Sequence, residues 1–96
     1  MITKTYGLTR KQYPRLMEFL RAKSDLPKTG VAFVRSECNP YGPEVKIYHM
    51  NGATLVVREF RKDSPPYVSI TTEEKNARRV KSRIEEVIGA QKWHLT

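Results

Sequence analysis

Val45-Lys46-Ile47-Tyr48-His49-Met50-Asn51-Gly52-Ala53-Thr54-Leu55-Val56-Val57-Arg58-Glu59-Phe60 is the stretch that decides the fold. Two runs rich in β-branched, aromatic and long apolar side chains flank a single Asn-Gly pair. A two-residue loop of that composition is the type I′ turn, which needs positive φ at both central positions. The stretch therefore closes as a β-hairpin, Val45 to Met50 against Ala53 to Phe60. So short a loop also sets the register. Met50 falls opposite Ala53, Tyr48 opposite Leu55 and Lys46 opposite Val57 on one face of the sheet. Val45 with Arg58, Ile47 with Val56 and His49 with Thr54 share the other face, joined by Phe60. Both faces are substantially apolar. The expectation is that Ile47, Val56 and Phe60 meet the helices, while Lys46, Tyr48, Met50, Leu55 and Val57 form an open face suited to a partner or a second copy.

Outward from the hairpin, Asp63-Ser64-Pro65-Pro66 is a break, and Tyr67 to Ile70 alternates as a short strand. Thr71 with Glu74 three residues on has the form of a capping box for a long helix, and Gly89 suits the left-handed residue after its last turn. Toward the N-terminus, Cys38-Asn39-Pro40-Tyr41-Gly42-Pro43 reads as a loop and Val31 to Arg35 as a strand. Before them, Thr9 and Gln12 form a second capping-box pair, and Tyr13, Leu16, Met17 and Leu20 recur on one helical face. Pro14 belongs in the first turn of that helix, which ends before Pro27. Ile2 to Tyr6 alternates weakly as a strand ended by Gly7. The order (β)-α-β-β-β-β-α predicts an α+β domain, a four- to five-stranded antiparallel sheet packed on two helices. Residues 1–96 are expected to form a single domain, with 90–96 a short tail carrying Trp93 and Leu95.

Eighteen Lys and Arg against 10 Asp and Glu give a net charge of +8, which favours nucleic acid, an anionic membrane or an acidic protein surface. Residues 1–36 hold net +6, but Leu16, Met17, Phe19, Leu20 and Phe33 are interleaved there, so the charge sits on folded elements. The single cysteine, Cys38, excludes an intrachain disulfide and suits a reducing, cytoplasmic setting. No apolar run approaches the roughly 20 residues of a membrane span, and no signal-peptide pattern follows Met1. A membrane-surface role would need a bulky apolar helix face left exposed, and here a sheet is available to bury both stripes.

The sharpest functional feature lies between Thr71 and Gly89. Ala77, Val80, Ile84, Val87 and Ile88 recur at helical spacing, leaving Lys75, Arg79 and Arg83 stacked four apart. Like charges at that spacing repel by ~0.2 to 0.5 kcal/mol per pair, so the ladder points to an anionic partner. Arg78 can pair with Glu74 and Lys81 with Glu85, and Glu86 relieves Arg83 alone. Arg61 and Lys62 after the hairpin, with Lys11 and Arg15 on the first helix, are further cations a phosphate backbone could use. Lys46 and Tyr48, on the face expected to be open, and Tyr67 beside them, are candidates for contacting or stacking on bases.

Catalysis is not expected. A nucleophile needs a base and an orienting group, and Cys38, His49 and His94 are brought together by nothing in the sequence. One Cys and two His match no zinc spacing, and the five glycines stand singly, so neither a metal nor another cofactor is expected.

The order strand, helix, strands, helix resembles one half of the TATA-box-binding protein fold. Ser69-Ile70-Thr71-Thr72-Glu73-Glu74 leading into Lys75 to Gly89 looks like that family's last strand and basic second helix. The resemblance implies an open apolar sheet face that sits on a bent minor groove through inserted phenylalanines. Phe33 and Phe60 do not fall at positions matching those wedges. Without the first strand, the order is also similar to the Alu-binding proteins of the signal recognition particle and to double-stranded RNA-binding domains. The latter open their second helix with lysines, where this chain has Glu73-Glu74. The expectation is a nucleic-acid-binding protein, for DNA or RNA, that contacts phosphates through the C-terminal helix. The alternative is a non-enzymatic adaptor or inhibitor that docks an apolar sheet face or edge on a protein partner or, as a homodimer, on a second copy of itself.

Overall fold

The computed structural model describes residues 1–38, 44–59 and 65–89. They form an α+β fold: β1 (Ile2–Gly7), α1 (Gln12–Ser24), β2 (Val31–Glu37), β3 (Val45–Met50), β4 (Ala53–Arg58), β5 (Tyr67–Thr72) and α2 (Glu74–Ile88). The five strands are antiparallel in the order β1-β5-β4-β3-β2, so the chain's first strand closes the sheet beside its last. The hairpin has the expected register, Met50 opposite Ala53 through Val45 opposite Arg58, and Asn51 and Gly52 take φ of 49° and 87°.

The face that packs on the helices is the reverse of the expected one. Tyr48, Met50, Leu55 and Val57 are buried under the helical layer, and Val56 lies half-exposed on the other side. The neighbouring strands decide this. Lateral pairing extends the Leu55 face into Val68 and Ile70 of β5 and Val31 of β2, whereas the Val56 face runs into Ser69 and Thr71 and then Thr5 and Thr3 of β1. Burying the second face would place the hydroxyls of Thr3, Thr5, Ser69 and Thr71 in the core, at a cost that the more apolar first face largely avoids. Phe60, Trp93 and Leu95 lie outside the described residues.

Leu16, Met17 and Leu20 of α1 and Ala77, Val80, Ile84 and Ile88 of α2 complete the core. The N-terminal capping box forms as expected: Thr9 N donates to Gln12 Oε1 at 2.9 Å and Gln12 N to Thr9 Oγ1 at 3.1 Å. At the second helix the expectation shifts by two residues. Thr71 and Thr72 stay in β5, paired with Thr3 and Ile2, and Glu73 is the extended residue before α2, with no side-chain cap. Partner hydrogen bonds from β1 hold the backbone of Thr71 in the sheet, so its hydroxyl meets Thr3 Oγ1 at 3.1 Å instead of capping the helix. Gly89 closes α2 with φ 72°, as its sequence position implied. Among the described residues no helix is long and apolar enough to cross a membrane.

Candidate nucleic-acid interface

α2 projects its cations over three directions, because each i+4 step advances roughly 40° around a helix of 3.6 residues per turn. Lys75 stands on the solvent crest, Arg79 beside it, and Arg83 has wound down the flank that faces α1. The Arg83 guanidinium lies over the Phe19 ring, 5.3 Å from its centroid, a contact that holds the side chain against α1. Thus the expected ladder is a spiral, and only its first two rungs point straight outward.

The carboxylates near these cations come from α2 and the residue before it. Lys75 Nζ is 3.4 Å from Glu73 Oε2 and Arg83 Nη1 is 3.9 Å from Glu86 Oε2, both pairs well exposed. Pairs of that kind contribute about 0 to 1 kcal/mol and exchange readily for another anion. Among the described residues no carboxylate lies within ion-pairing distance of Arg79. Among the described residues the expected pair of Arg78 with Glu74 does not form. Glu85 turns to the sheet and accepts a hydrogen bond from Tyr6 Oη at 3.1 Å, and burial followed by that carboxylate pushes the Tyr6 phenol well above its usual pKa. Arg78 and Lys81 line a shallow groove on this side of α2 with Lys75, Ser82 and Glu85.

The other expected contacts fare differently. Tyr48 is buried beneath α1 with its edge toward Phe33, ring centroids 5.2 Å apart, so it cannot stack on a base. Lys46 lies on the helix-covered side and pairs with Glu59 at 3.7 Å, with little of its side chain exposed. Both follow from the reversal of the sheet faces. Arg15 is directed to the C-terminal end of α2, where its Nη1 would sit 3.0 Å from a Cβ placed on Gly89, a favourable place for a cation. Lys11 is exposed. Arg61, Lys62 and His94 lie outside the described residues, and Cys38 is exposed at the end of β2.

Three features were missed in the sequence. Lys23 and Lys28 reach the same flank as Arg83. The only local signal was two lysines on either side of the Asp25-Leu26-Pro27 break, which says nothing about α2. On the sheet face away from the helices the Arg58 guanidinium lies over the Tyr67 ring at 5.1 Å, a pair that the register of β4 with β5 creates. His49 is exposed on that same face, and Tyr67 is the aromatic that takes the place expected of Tyr48. No protein-family model, curated protein or solved structure matches the chain.

Proposed function

We propose that the protein binds nucleic acid by laying the crest of α2 along a phosphate backbone, with Lys75 and Arg79 as the principal contacts and Arg83 at the margin. The observation that carries this reading is the absence, among the described residues, of any carboxylate from another element beside these cations. The repulsion along the ladder is therefore relieved only by exposed neighbours, and an external polyanion gains by replacing them. Arg61 and Lys62, which lie outside the described residues, are the further cations assigned to this contact from the sequence. The single cysteine and the basic charge suit a reducing cytoplasmic setting, and nothing in this role requires catalysis or a cofactor.

The test is fluorescence anisotropy with duplex DNA, single-stranded DNA and structured RNA at two salt concentrations. Binding should fall steeply with salt, and Arg79→Gln and Lys75→Gln should each lower the salt slope by about 1. No binding to any of the three at low salt overturns the reading. A second reading then takes over, a protein-binding adaptor or homodimer. It is favoured by β2, the terminal strand on its side of the sheet, which leaves Phe33 and Val34 exposed. An interface of that kind responds little to salt and appears as a dimer mass or a stable complex.

A further inference from the structure

At the hairpin end of the helical layer, the end of α1 with the connection after it and the distant α2 bring three cationic residues to one place. Lys23 in the last turn of α1, Lys28 in the connection to β2 and Arg83 of α2 line a single cavity of about 280 Å³, with Phe19, Thr29 and Asn51 between them. Among the described residues no carboxylate lines it, and Glu86, the exposed partner of Arg83, stands 3.9 Å from that guanidinium. Cations gathered without a counter-charge repel one another. The backbone adds to the cost: Lys28 has φ 61°, the left-handed region that side chains other than glycine and asparagine seldom occupy. Strain of that kind persists where surrounding structure over-determines it, and it clusters at ligand sites. Here the constraint is visible on both sides of Lys28. Thr29 Oγ1 donates to Lys23 O at 2.7 Å and accepts from Val31 N at 3.3 Å, while Asn51 N donates to Gly30 O at 2.9 Å.

We propose that this cavity binds a phosphate monoester. Three cationic residues around one cavity suit a dianion better than the single charge of a phosphodiester, and the concave shape contrasts with the convex crest assigned to the backbone. The volume lies just below the roughly 300 to 1,000 Å³ of pockets that enclose whole drug-sized ligands, so it fits one charged group with its hydration and leaves the rest of the ligand outside. That group has two sources: the terminal phosphate of a nucleic-acid strand, or a free phosphorylated small molecule. Only the first rests on the nucleic-acid reading.

The experiment uses the full chain at constant ionic strength, set with chloride. Anisotropy compares one single-stranded oligonucleotide carrying a 5′-phosphate with the same oligonucleotide ending in 5′-hydroxyl, and calorimetry titrates inorganic phosphate and adenosine monophosphate. The expected result is binding of the phosphorylated end about fivefold tighter or more, lost in Lys28→Gly and Lys23→Gln, with Arg79→Gln weakening both oligonucleotides alike. Lys28→Gly suits the positive φ, so its melting temperature should equal or exceed that of the parent protein, and lost binding cannot be ascribed to unfolding. Saturable binding of phosphate or the mononucleotide, abolished by the same two variants but without end preference, supports the site and assigns it to a free ligand. Equal binding of both oligonucleotides with no saturable phosphate binding overturns the cavity proposal and leaves the crest reading intact. No binding of any probe overturns both.

Discussion

The two faces of the sheet are built from alternate residues of the same strands and yet differ in kind. Under the helices lie Tyr48, Met50, Leu55, Val57, Val68 and Ile70, all buried. On the other side Thr3, Thr5, Ser69 and Thr71 run in hydroxyl pairs, Thr3 to Thr71 at 3.1 Å and Thr5 to Ser69 at 3.3 Å, with buried Ile47 and half-buried Val56, Arg58 and Tyr67 toward β3. The difference teaches that a hairpin apolar on both faces does not choose its own inside. The choice is made by what its neighbours can continue laterally: β5 offers Val68 and Ile70 on one face, and β5 and β1 offer only hydroxyl side chains on the other.

The largest effect should come from Leu55. Leu55→Ala empties a fully buried site between the sheet and both helices and should cost about 2 to 5 kcal/mol, whereas Val56→Thr on the facing side should cost under ~1 kcal/mol. Urea unfolding of the two variants measures the contrast, and similar losses would show that the open face is covered too.

Next in size is Gly30→Ala. Gly30 has φ 78°, and a Cβ there would collide with Asn51 Oδ1, so the substitution strains the backbone at the start of β2 and displaces the Asn51 side chain. A loss of about 2 kcal/mol is expected in the same unfolding assay. Little change would mean the turn moves freely relative to β2.

Tyr6 ties the sheet's first strand to α2 through Glu85, and Tyr6→Phe should cost about 1 kcal/mol. The sign of the pH effect is set by the raised phenol pKa. The folded state holds the proton to higher pH than the unfolded chain, so the stabilisation is complete below about pH 10 and is lost as pH rises above it. Burial raises Tyr13 and Tyr48 in the same direction. Unfolding free energy measured on both sides of pH 10 should therefore fall with pH in the parent protein and fall less in Tyr6→Phe; parallel profiles would remove Tyr6 as a source.

The smallest effect belongs to the exposed hydroxyl ladder. Replacing both Thr3 and Thr71 by Val keeps the β-branched shape and removes donor and acceptor together, so stability should change by no more than about 0.5 kcal/mol. A larger loss would reveal a polar network on this face. A gain in self-association, read by sedimentation, would show that hydroxyls keep it from docking on a second copy.

Local chemistry was legible wherever a short stretch carries its own reason. Asn51-Gly52 set the turn and register, Thr9 with Gln12 set the first cap, and Gly89 set the end of α2. Thr71 was misread because its pattern satisfies a cap and a strand equally, and only pairing with β1, nearly 70 residues earlier, decides between them. The candidate site divides in the same way. Lys75 and Arg79 were legible from helical spacing, since spacing alone places them on the crest. Tyr48 was lost with the reversed sheet face, and Lys23 and Lys28 could not be joined to Arg83 because nothing in their own neighbourhoods refers to α2.

By itself the sequence determined the element order, the hairpin register, the Thr9 and Gln12 cap of α1, the Gly89 end of α2 and the basic character of the last helix, because periodicity, turn chemistry and charge act over a few residues. The tertiary structure alone decided which face of the sheet is the core, that Thr71 belongs to a strand, that Glu85 serves Tyr6, and that Lys23, Lys28 and Arg83 share one cavity. Those outcomes depend on lateral strand pairing and helix docking, which bring together groups whose separation along the chain hides their common surroundings.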